Sequence, residues 1–174
     1  MAEQELSKYI RDVPDFPKPG ILFRDITPLL QNPQAFEATL VRLEAVAREL
    51  VPDVIAGVES RGFLFGAPLA NRLDRPFVPI RKPGKLPAET VSETYSLEYG
   101  EDRLELHRDA VCEGARVLVI DDLLATGGTA AASVRLFAQL GAEVCGLAFV
   151  IELAFLGGRE RLGALPVRSL VSYG

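Results

Sequence analysis

The chain has 174 residues, 48% of them hydrophobic, and a formal net charge of −5. This length favours a single domain with a sizeable core, and the composition is typical of a folded protein. A net acidic chain lacks the basic face of a general nucleic-acid binder, so we expect no nucleic-acid partner. No apolar run approaches a membrane span and the N-terminus lacks a signal-peptide core, so we expect no membrane association.

The two cysteines, Cys112 and Cys145, follow no metal-ligand spacing and lie among apolar neighbours. We expect both to be reduced, buried and unreactive. Unpaired thiols are typical of a reducing compartment, so we also expect a cytoplasmic location.

The predicted elements alternate between helices and strands along the chain. An amphipathic helix is predicted over 3–11, and a longer helix begins at Asn32 and Pro33 and ends before Pro52. Buried strands are predicted over 53–58, 77–80, 117–120, 143–151 and 167–173, further helices over 63–73 and from residue 130, and a hairpin over 91–107. This order predicts an α/β fold with a central, mostly parallel sheet flanked by helices and joined by right-handed crossovers.

The strand over 53–58 ends at a polar loop, residues 59–62, that leads into an apolar helix. The Ser60 hydroxyl, the Arg61 guanidinium and the backbone amide of Gly62 are donors at a helix start, where an anion binds well. A helix cap with a solvated arginine explains the segment equally well when it is considered alone. A second anion-binding loop further along the chain favours contact with an anion here too.

The strand over 77–80 is followed by the densest basic stretch of the chain, which contains Arg81, Lys82 and Lys85. A solvated charge run is the alternative interpretation. In a net acidic chain, however, cations at a strand exit suit an anionic ligand, because they stabilise its negative charge. The residues from Lys82 to Thr90 show no periodicity and are interpreted as part of a mobile lid that excludes water.

Residues 117–129 read VLVIDDLLATGGT and carry the strongest functional signal. An apolar strand ends at Asp121 and Asp122, which suit hydrogen bonds from sugar hydroxyls or a position facing a divalent cation. A loop follows that can bind a phosphate through backbone amides, two glycines and two hydroxyls at a helix start. Its residues are Ala125, Thr126, Gly127, Gly128 and Thr129.

A βα turn with an acidic edge is the alternative for this motif, and the combination of buried strand, paired acids and glycines disfavours it. The motif is not a P-loop, because no Gly-Lys-Ser/Thr ends it, and it lacks the G-x-G-x-x-G spacing of a dinucleotide site. The order of acids and then donors predicts a ribose-phosphate site.

The segment DDLLATGGT resembles the phosphoribosyl-pyrophosphate (PRPP) motif of type I phosphoribosyltransferases. The segments PGILFRDITPLL, ESRGFLFGAPLA, IRKPGKLPAET and YSLEYG support the resemblance between residues 19 and 129, and GRERL at 158–162 supports it more weakly. The resemblance implies a type I phosphoribosyltransferase fold in one domain, 1–174. Residues 1–30 would form an N-terminal arm and hood, and residues 82–107 a flexible lid hairpin.

The resemblance also implies a reaction. PRPP and adenine would give adenosine monophosphate (AMP) and pyrophosphate, as in purine salvage. Mg²⁺ would be bound through PRPP with no direct protein ligand, and the chain would form a homodimer that shares Lys85 across its interface. Asp121, Asp122 and Arg61 would act in catalysis by positioning and charge stabilisation. The pyrophosphate would be contacted by the donors and cations of the two earlier loops, which are Ser60, Arg61, Arg81, Lys82 and Lys85.

Residue roles at the base follow from the same resemblance. The hood would cover the purine with Leu22, Phe23 and Arg24, the base edge being read by main-chain groups of Leu22 and Arg24. Leu153 would pack on the purine, although an ordinary core leucine is the alternative. On the lid, Glu98 would move a proton on the purine and Tyr99 would gate or line the pocket; Glu98 as a surface residue is almost equally supported.

Three other functions remain open at this point. A regulator that senses PRPP and binds nucleic acid would need a basic patch that the sequence does not contain. A transferase for another base is possible, but oxopurine enzymes typically place a lysine or similar donor at the 6-oxygen, and no lysine follows Val150. A plain α/β domain without a ligand is the remaining alternative.

Overall fold

The computed structural model describes residues 3–96 and 101–174. Its strands are β1 (Arg11–Pro14), β2 (Leu22–Asp25), β3 (Val54–Val58), β4 (Phe77–Ile80), β5 (Thr90–Ser96), β6 (Glu101–His107), β7 (Arg116–Leu124), β8 (Glu143–Leu153) and β9 (Val167–Tyr173). Its α-helices are α1 (Glu3–Leu6), α2 (Thr27–Gln31), α3 (Pro33–Leu50), α4 (Arg61–Leu73) and α5 (Gly128–Gln139). Short 3-10 helices cover Ser7–Tyr9, Ala154–Leu156 and Gly158–Leu162.

The centre of the fold is a five-stranded parallel sheet with the strand order β4-β3-β7-β8-β9. Its strands are apolar runs because helices and loops cover both faces, and every residue of β3 is buried. One core cluster packs α5 and the β5–β6 hairpin against the sheet, and another packs α1, α3 and α4 against it. The predicted central parallel sheet is confirmed.

Helix α3 begins where the sequence predicts. The Asn32 side-chain oxygen accepts a hydrogen bond from the Ala35 backbone N–H at 2.9 Å, and Pro33 occupies the first turn. The chain leaves the helix at Val51, whose φ of 50° lies in the left-handed region. Within the described residues, none of the helices combines the length and the apolar character that a membrane crossing requires.

The N-terminal segment differs from the prediction of one helix over 3–11. Helix α1 ends at Leu6, and Arg11 begins β1, which pairs antiparallel with β2. Ion pairs join these strands, between Arg11 and Asp25 at 2.5 Å and between Arg24 and Asp12. The prediction was wrong because pairing with a strand further along the chain overrides local helical periodicity.

The β5–β6 hairpin is anchored in the core. Tyr95 is 6% exposed, and Leu104 and Leu106 are fully buried. Glu93 of β5 forms an ion pair with Arg135 of α5 at 2.5 Å. The described base of the predicted lid is therefore part of the packed structure.

The prediction that both cysteines are buried is half correct. Cys145 is buried on β8, and burial raises the pKa of its thiol. Cys112 is exposed, because it lies in the turn between β6 and β7. Its apolar neighbours Ala110 and Val111 contact the core in its place.

Candidate active site

Two of the predicted anion-binding loops meet at one edge of the sheet. Strands β3 and β7 are parallel neighbours, so the 59–62 and 125–129 loops leave the sheet at the same edge. The strand was predicted to end at Asp121, but β7 continues to Leu124, so both acids lie on the strand where it pairs with β8. Ligands of open α/β sheets bind at such carboxyl ends. A cavity of about 250 Å³ lies there. Its lining residues are Val58, Glu59, Ser60, Arg61, Lys82, Asp121, Asp122, Leu123, Leu124, Ala125, Thr126, Gly127, Gly128, Thr129, Ala130 and Phe149.

The paired acids form the floor of the cavity. Asp122 is 3% exposed, and the Asp122 backbone N–H donates to Asp121 Oδ1 at 2.9 Å. Burial raises the pKa of Asp121 well above its usual range, and the neighbouring Asp122 charge raises it further. Burial also raises the pKa of Asp122, and the Arg61 guanidinium acts against this effect.

Arg61 connects the two loops. Its Nε forms an ion pair with Asp122 Oδ2 at 3.1 Å, but the geometry is not that of a hydrogen bond. Asp122 Oδ2 therefore has no hydrogen-bond partner in the described structure. The neighbouring Ser60 stands at the start of α4, and its side chain makes no capping hydrogen bond. Both residues line the cavity, and their role as donors to a pyrophosphate stays a prediction.

The 125–129 loop enters helix α5 as the sequence predicts. Gly127 has a φ of 79°, a conformation that favours glycine, and α5 starts at the next residue. The first turn of α5 contains no acidic side chain. A helix start of this kind carries unpaired N–H groups and a partial positive charge, so the loop can bind a phosphate.

The basic stretch divides into three environments. Arg81 pairs with Glu59 at 2.9 Å and does not line the cavity. Lys82 lines the cavity and pairs with Asp102. Lys85 is exposed and does not line the cavity, but its charge helps to lower the pKa of Glu59, which does line it. Of the three predicted pyrophosphate ligands in this stretch, the structure brings only Lys82 into the cavity.

A tyrosine that the sequence did not single out connects the hairpin to the 125–129 loop. The Tyr95 hydroxyl donates to Asp102 Oδ2 at 3.0 Å and accepts a hydrogen bond from Thr129 Oγ1 at 3.2 Å. Lys82 contacts the same Asp102 oxygen. One hydrogen-bond network therefore joins a residue of the 125–129 loop to the lysine that lines the opposite wall.

The four candidate purine contacts lie beside the cavity without lining it. The Phe23 ring centroid is 5.4 Å from the Arg61 guanidinium carbon, and the Arg24 guanidinium lies 3.7 Å above the Tyr173 ring. Leu153, at the end of β8, is paired in register with Tyr173. Leu22 is exposed. The hood thus docks beside Arg61 and the ends of β8 and β9.

The two lid candidates, Glu98 and Tyr99, lie outside the described residues, so their roles stay predictions. Two lining residues that the sequence analysis missed are Glu59 and Phe149. Glu59 directly precedes Ser60, and that adjacency could have identified it. Phe149 pairs with Asp121 across β7 and β8, and only the strand register reveals this neighbour.

Asp121 and Asp122 do not form a magnesium site by themselves, but they fit an ion whose other ligands come from a bound substrate. Among residues 3–96 and 101–174, no group of three or more His, Cys, Asp or Glu side chains is arranged to hold a metal ion. Asp122 Oδ2 is nevertheless a buried carboxylate oxygen without a hydrogen-bond partner. Mg²⁺ takes six oxygen ligands and often uses phosphates and water for most of them, so substrate oxygens would have to supply the rest of the set.

Comparison with known proteins identifies the class to which this fold and site belong. The sequence model described as "Phosphoribosyl transferase domain" matches residues 30–166. The chain therefore belongs to the phosphoribosyltransferase family, and the resemblance of the DDLLATGGT segment is confirmed.

Curated relatives define the group within the family. The chain is 57% identical to adenine phosphoribosyltransferase of Microcystis aeruginosa over 171 residues, which cover 97% of this chain and 99% of the relative. It is 54% identical to adenine phosphoribosyltransferase of Desulfitobacterium hafniense, covering 99% of this chain and 100% of the relative. Within the family, the chain belongs with the adenine phosphoribosyltransferases.

Solved structures confirm the fold. Adenine phosphoribosyltransferase of Thermoanaerobacter pseudethanolicus matches with a TM-score of 0.96 and 52% identity, over 99% of this chain and 100% of that one. The enzyme of Saccharomyces cerevisiae, solved with adenine and an imino-altritol bisphosphate, matches with a TM-score of 0.90 and 45% identity, over 97% of each chain. The predicted type I phosphoribosyltransferase fold is confirmed.

The raised pKa of Asp121 predicts a pH-dependent change in stability. The folded chain binds this proton more tightly than the unfolded chain, so ionisation of Asp121 lowers stability as the pH rises above about 4. Asp121→Asn removes the charge. We expect its free energy of unfolding to exceed that of the wild type near neutral pH, and the difference to shrink towards about pH 4.

Urea unfolding at a series of pH values measures this difference. Asp109→Asn, which changes an exposed acid in the turn before β7, is the matched control. A difference between Asp121→Asn and the wild type that did not vary with pH would contradict the prediction.

Proposed function

We propose that this protein transfers the 5-phosphoribosyl group from PRPP to adenine, giving AMP and pyrophosphate, a reaction of purine salvage. The observation that carries the proposal is the cavity in which the 125–129 loop, the Asp121–Asp122 pair and Arg61 face one another. These groups match the three parts of PRPP: a 5′-phosphate, ribose hydroxyls and a pyrophosphate.

Binding of the ribose phosphate uses hydrogen-bond donors for the phosphate and hydrogen-bond acceptors for the ribose hydroxyls. Backbone amides of the 125–129 loop and the Thr126 and Thr129 hydroxyls donate to the 5′-phosphate, and for this the Thr129 hydroxyl turns from the Tyr95 hydroxyl, to which it donates in the structure. Asp121 and Asp122 accept hydrogen bonds from the ribose hydroxyls. Hydrogen bonds to a carboxylate favour its ionised form, so the bound sugar offsets the burial that raises both pKa values.

Cleavage of the bond to pyrophosphate builds positive charge on the ribose ring and negative charge on the leaving group. The carboxylates of Asp121 and Asp122 stabilise the ring charge, and Arg61, Ser60 and Lys82 stabilise the pyrophosphate. The chain needs no covalent nucleophile, because holding PRPP and the purine in line provides most of the advantage. Arg81 acts through Glu59 on the wall of the cavity, and Lys85, which does not line the cavity of its own chain, also acts there through Glu59.

The adenine site is proposed at the junction between hood and sheet. Main-chain groups of Leu22 and Arg24 read the base edge, while the Phe23 and Leu153 side chains pack on the ring. The location of Phe23 beside Arg61 supports this arrangement, because it places the hood next to the pyrophosphate donors. Glu98 and Tyr99 are proposed to move a proton on the purine and to close the site.

Magnesium is proposed as the cofactor. Asp121 and Asp122 are the protein groups that would face it, and most of its ligands would come from PRPP and water. When bound, the ion neutralises oxygens of the departing pyrophosphate.

Turnover with competing bases tests the proposed activity. In an equimolar mixture of adenine, hypoxanthine and guanine with PRPP and Mg²⁺, we expect AMP to exceed the other nucleotides by about a hundredfold, because hydrogen-bonding sites reject analogues strongly. Product masses give the ratio. Inosine or guanosine monophosphate as the main product would contradict adenine specificity.

The double variant Asp121→Asn/Asp122→Asn tests the roles of the acids. Loss of charge stabilisation should lower turnover on the order of a hundredfold while the fold is retained. Steady-state kinetics and far-UV circular dichroism measure the two properties. Normal turnover in a folded double variant would show that neither carboxylate acts in catalysis.

Removal of the metal tests the cofactor. Dialysis against a chelator should abolish turnover, because Arg61 and Lys82, the basic residues that line the cavity in the described structure, carry fewer charges than the pyrophosphate, and added Mg²⁺ should restore it. Full activity in the chelator would contradict the proposal. Calorimetric binding of PRPP with and without Mg²⁺ reports whether the ion enters with the substrate.

A homodimer is proposed in which Lys85 reaches the site of the second subunit. The exposed position of Lys85, outside the cavity of its own chain, supports this arrangement. Light scattering at the assay concentration should give twice the 18.9 kDa mass of the chain. A monomeric mass in an active sample would contradict it.

A cytoplasmic location is also proposed. The unpaired cysteines support it, since an exposed thiol such as Cys112 stays reduced in that compartment. Recovery of the tagged chain in a membrane or secreted fraction would count against the proposal.

A further inference from the structure

The 125–129 loop rests directly on the backbone of a second segment of the chain. A Cβ atom on Gly158 would lie 2.2 Å from the Ala125 carbonyl oxygen, and one on Gly127 would lie 2.4 Å from the Gly158 carbonyl oxygen. Neither position has room for a side chain, because the two backbones touch. Gly158 does not line the cavity, so it supports the loop from the side away from the ligand.

The next residue, Arg159, holds this support in place. Its Nε and Nη2 donate to the two oxygens of Glu152 at 2.5 and 2.6 Å, and its Nη1 donates to the Val167 carbonyl oxygen at 2.9 Å. Nη2 also lies 3.3 Å from Ser169 Oγ. The guanidinium therefore ties the segment behind the loop to the end of β8 and to β9. The N–H groups of the guanidinium form a planar fork, and this geometry makes bidentate contacts with a carboxylate possible.

The Glu152–Arg159 ion pair does not act on the substrate through its charges. Glu152 is 5% exposed, and its hydrogen bonds with Arg159 lower the pKa of its carboxyl group. The Glu152 carboxylate balances the guanidinium charge, although the Arg159 side chain is 47% exposed, and neither residue lines the cavity. An effect on catalysis must therefore pass through the position of the backbone.

We infer that Glu152 and Arg159 are positioning residues for the 5′-phosphate subsite, because their ion pair fixes Gly158 against the 125–129 loop. This inference rests on the proposed function. The loop binds through amides whose direction matters, and a displacement of about 1 Å can cost on the order of a hundredfold in rate. Loosening the pair should weaken binding of the sugar phosphate and leave the pyrophosphate subsite, on the 59–62 loop, unchanged.

The test variant is Arg159→Lys, which keeps the positive charge beside Glu152 and loses the fork. Calorimetry measures the dissociation constants of ribose 5-phosphate and of inorganic pyrophosphate separately. We expect the variant to bind ribose 5-phosphate about tenfold more weakly and pyrophosphate less than about twofold more weakly. In steady state, KM for PRPP should rise more than kcat falls.

Arg168→Lys is the matched control, because Arg168 forms a surface ion pair with Glu49 of α3 at 2.6 Å and does not line the cavity. It should leave both dissociation constants unchanged. Unchanged ribose 5-phosphate binding by a folded Arg159→Lys variant would overturn the inference. Equal weakening of both ligands would also overturn it, since the pair would then support the whole fold.

Gly158→Ala is a second variant that addresses the contact itself. The added methyl group must move the loop, so ribose 5-phosphate binding should weaken while pyrophosphate binding persists. A folded Gly158→Ala variant with wild-type affinity would overturn the inference. If the wild-type chain bound pyrophosphate but not ribose 5-phosphate, the proposed function would fail instead.

Discussion

The cavity depends on one backbone contact, in which the start of α4 lies directly on β7. A Cβ atom on Gly62 would stand 2.6 Å from the Ile120 carbonyl oxygen and 3.1 Å from Asp121 Oδ1. With only a hydrogen atom there, α4 approaches closely enough for Arg61 to reach Asp122. Two loops that are about 60 residues apart in the chain thereby become the facing walls of one site.

Charge in this site is balanced locally before any ligand binds. Three cation–anion pairs surround the cavity: Arg61 with Asp122, Arg81 with Glu59, and Lys82 with Asp102. An anionic ligand must compete with these carboxylates for the three cations. Its binding free energy is therefore the difference between the cations' contacts with the ligand and their contacts with the carboxylates. The arrangement explains how a chain with net charge −5 can contain a site for a highly charged phosphate ester.

Supports outside the cavity hold both walls. Tyr95 joins Thr129 to the Asp102–Lys82 pair on one side, and Gly158 backs the 125–129 loop on the other. Apart from the contact between Tyr95 and Asp102, which are partners across the β5–β6 hairpin, these contacts join segments that are distant in the sequence. The precision of the site therefore comes from elements that never touch the substrate, as expected when binding depends on the direction of backbone amides.

The sequence by itself determined the sheet strands, the helix starts and the two loops that carry donors and acids. These features follow from local rules: apolar runs form buried strands, Asn-Pro begins α3, and glycines allow the turn into α5. Only the tertiary structure decided which cations face the cavity, that Arg11 leaves the first helix for a strand, and that Cys112 is exposed. Those outcomes depend on contacts between distant segments, and a one-dimensional pattern of polarity does not specify such partners.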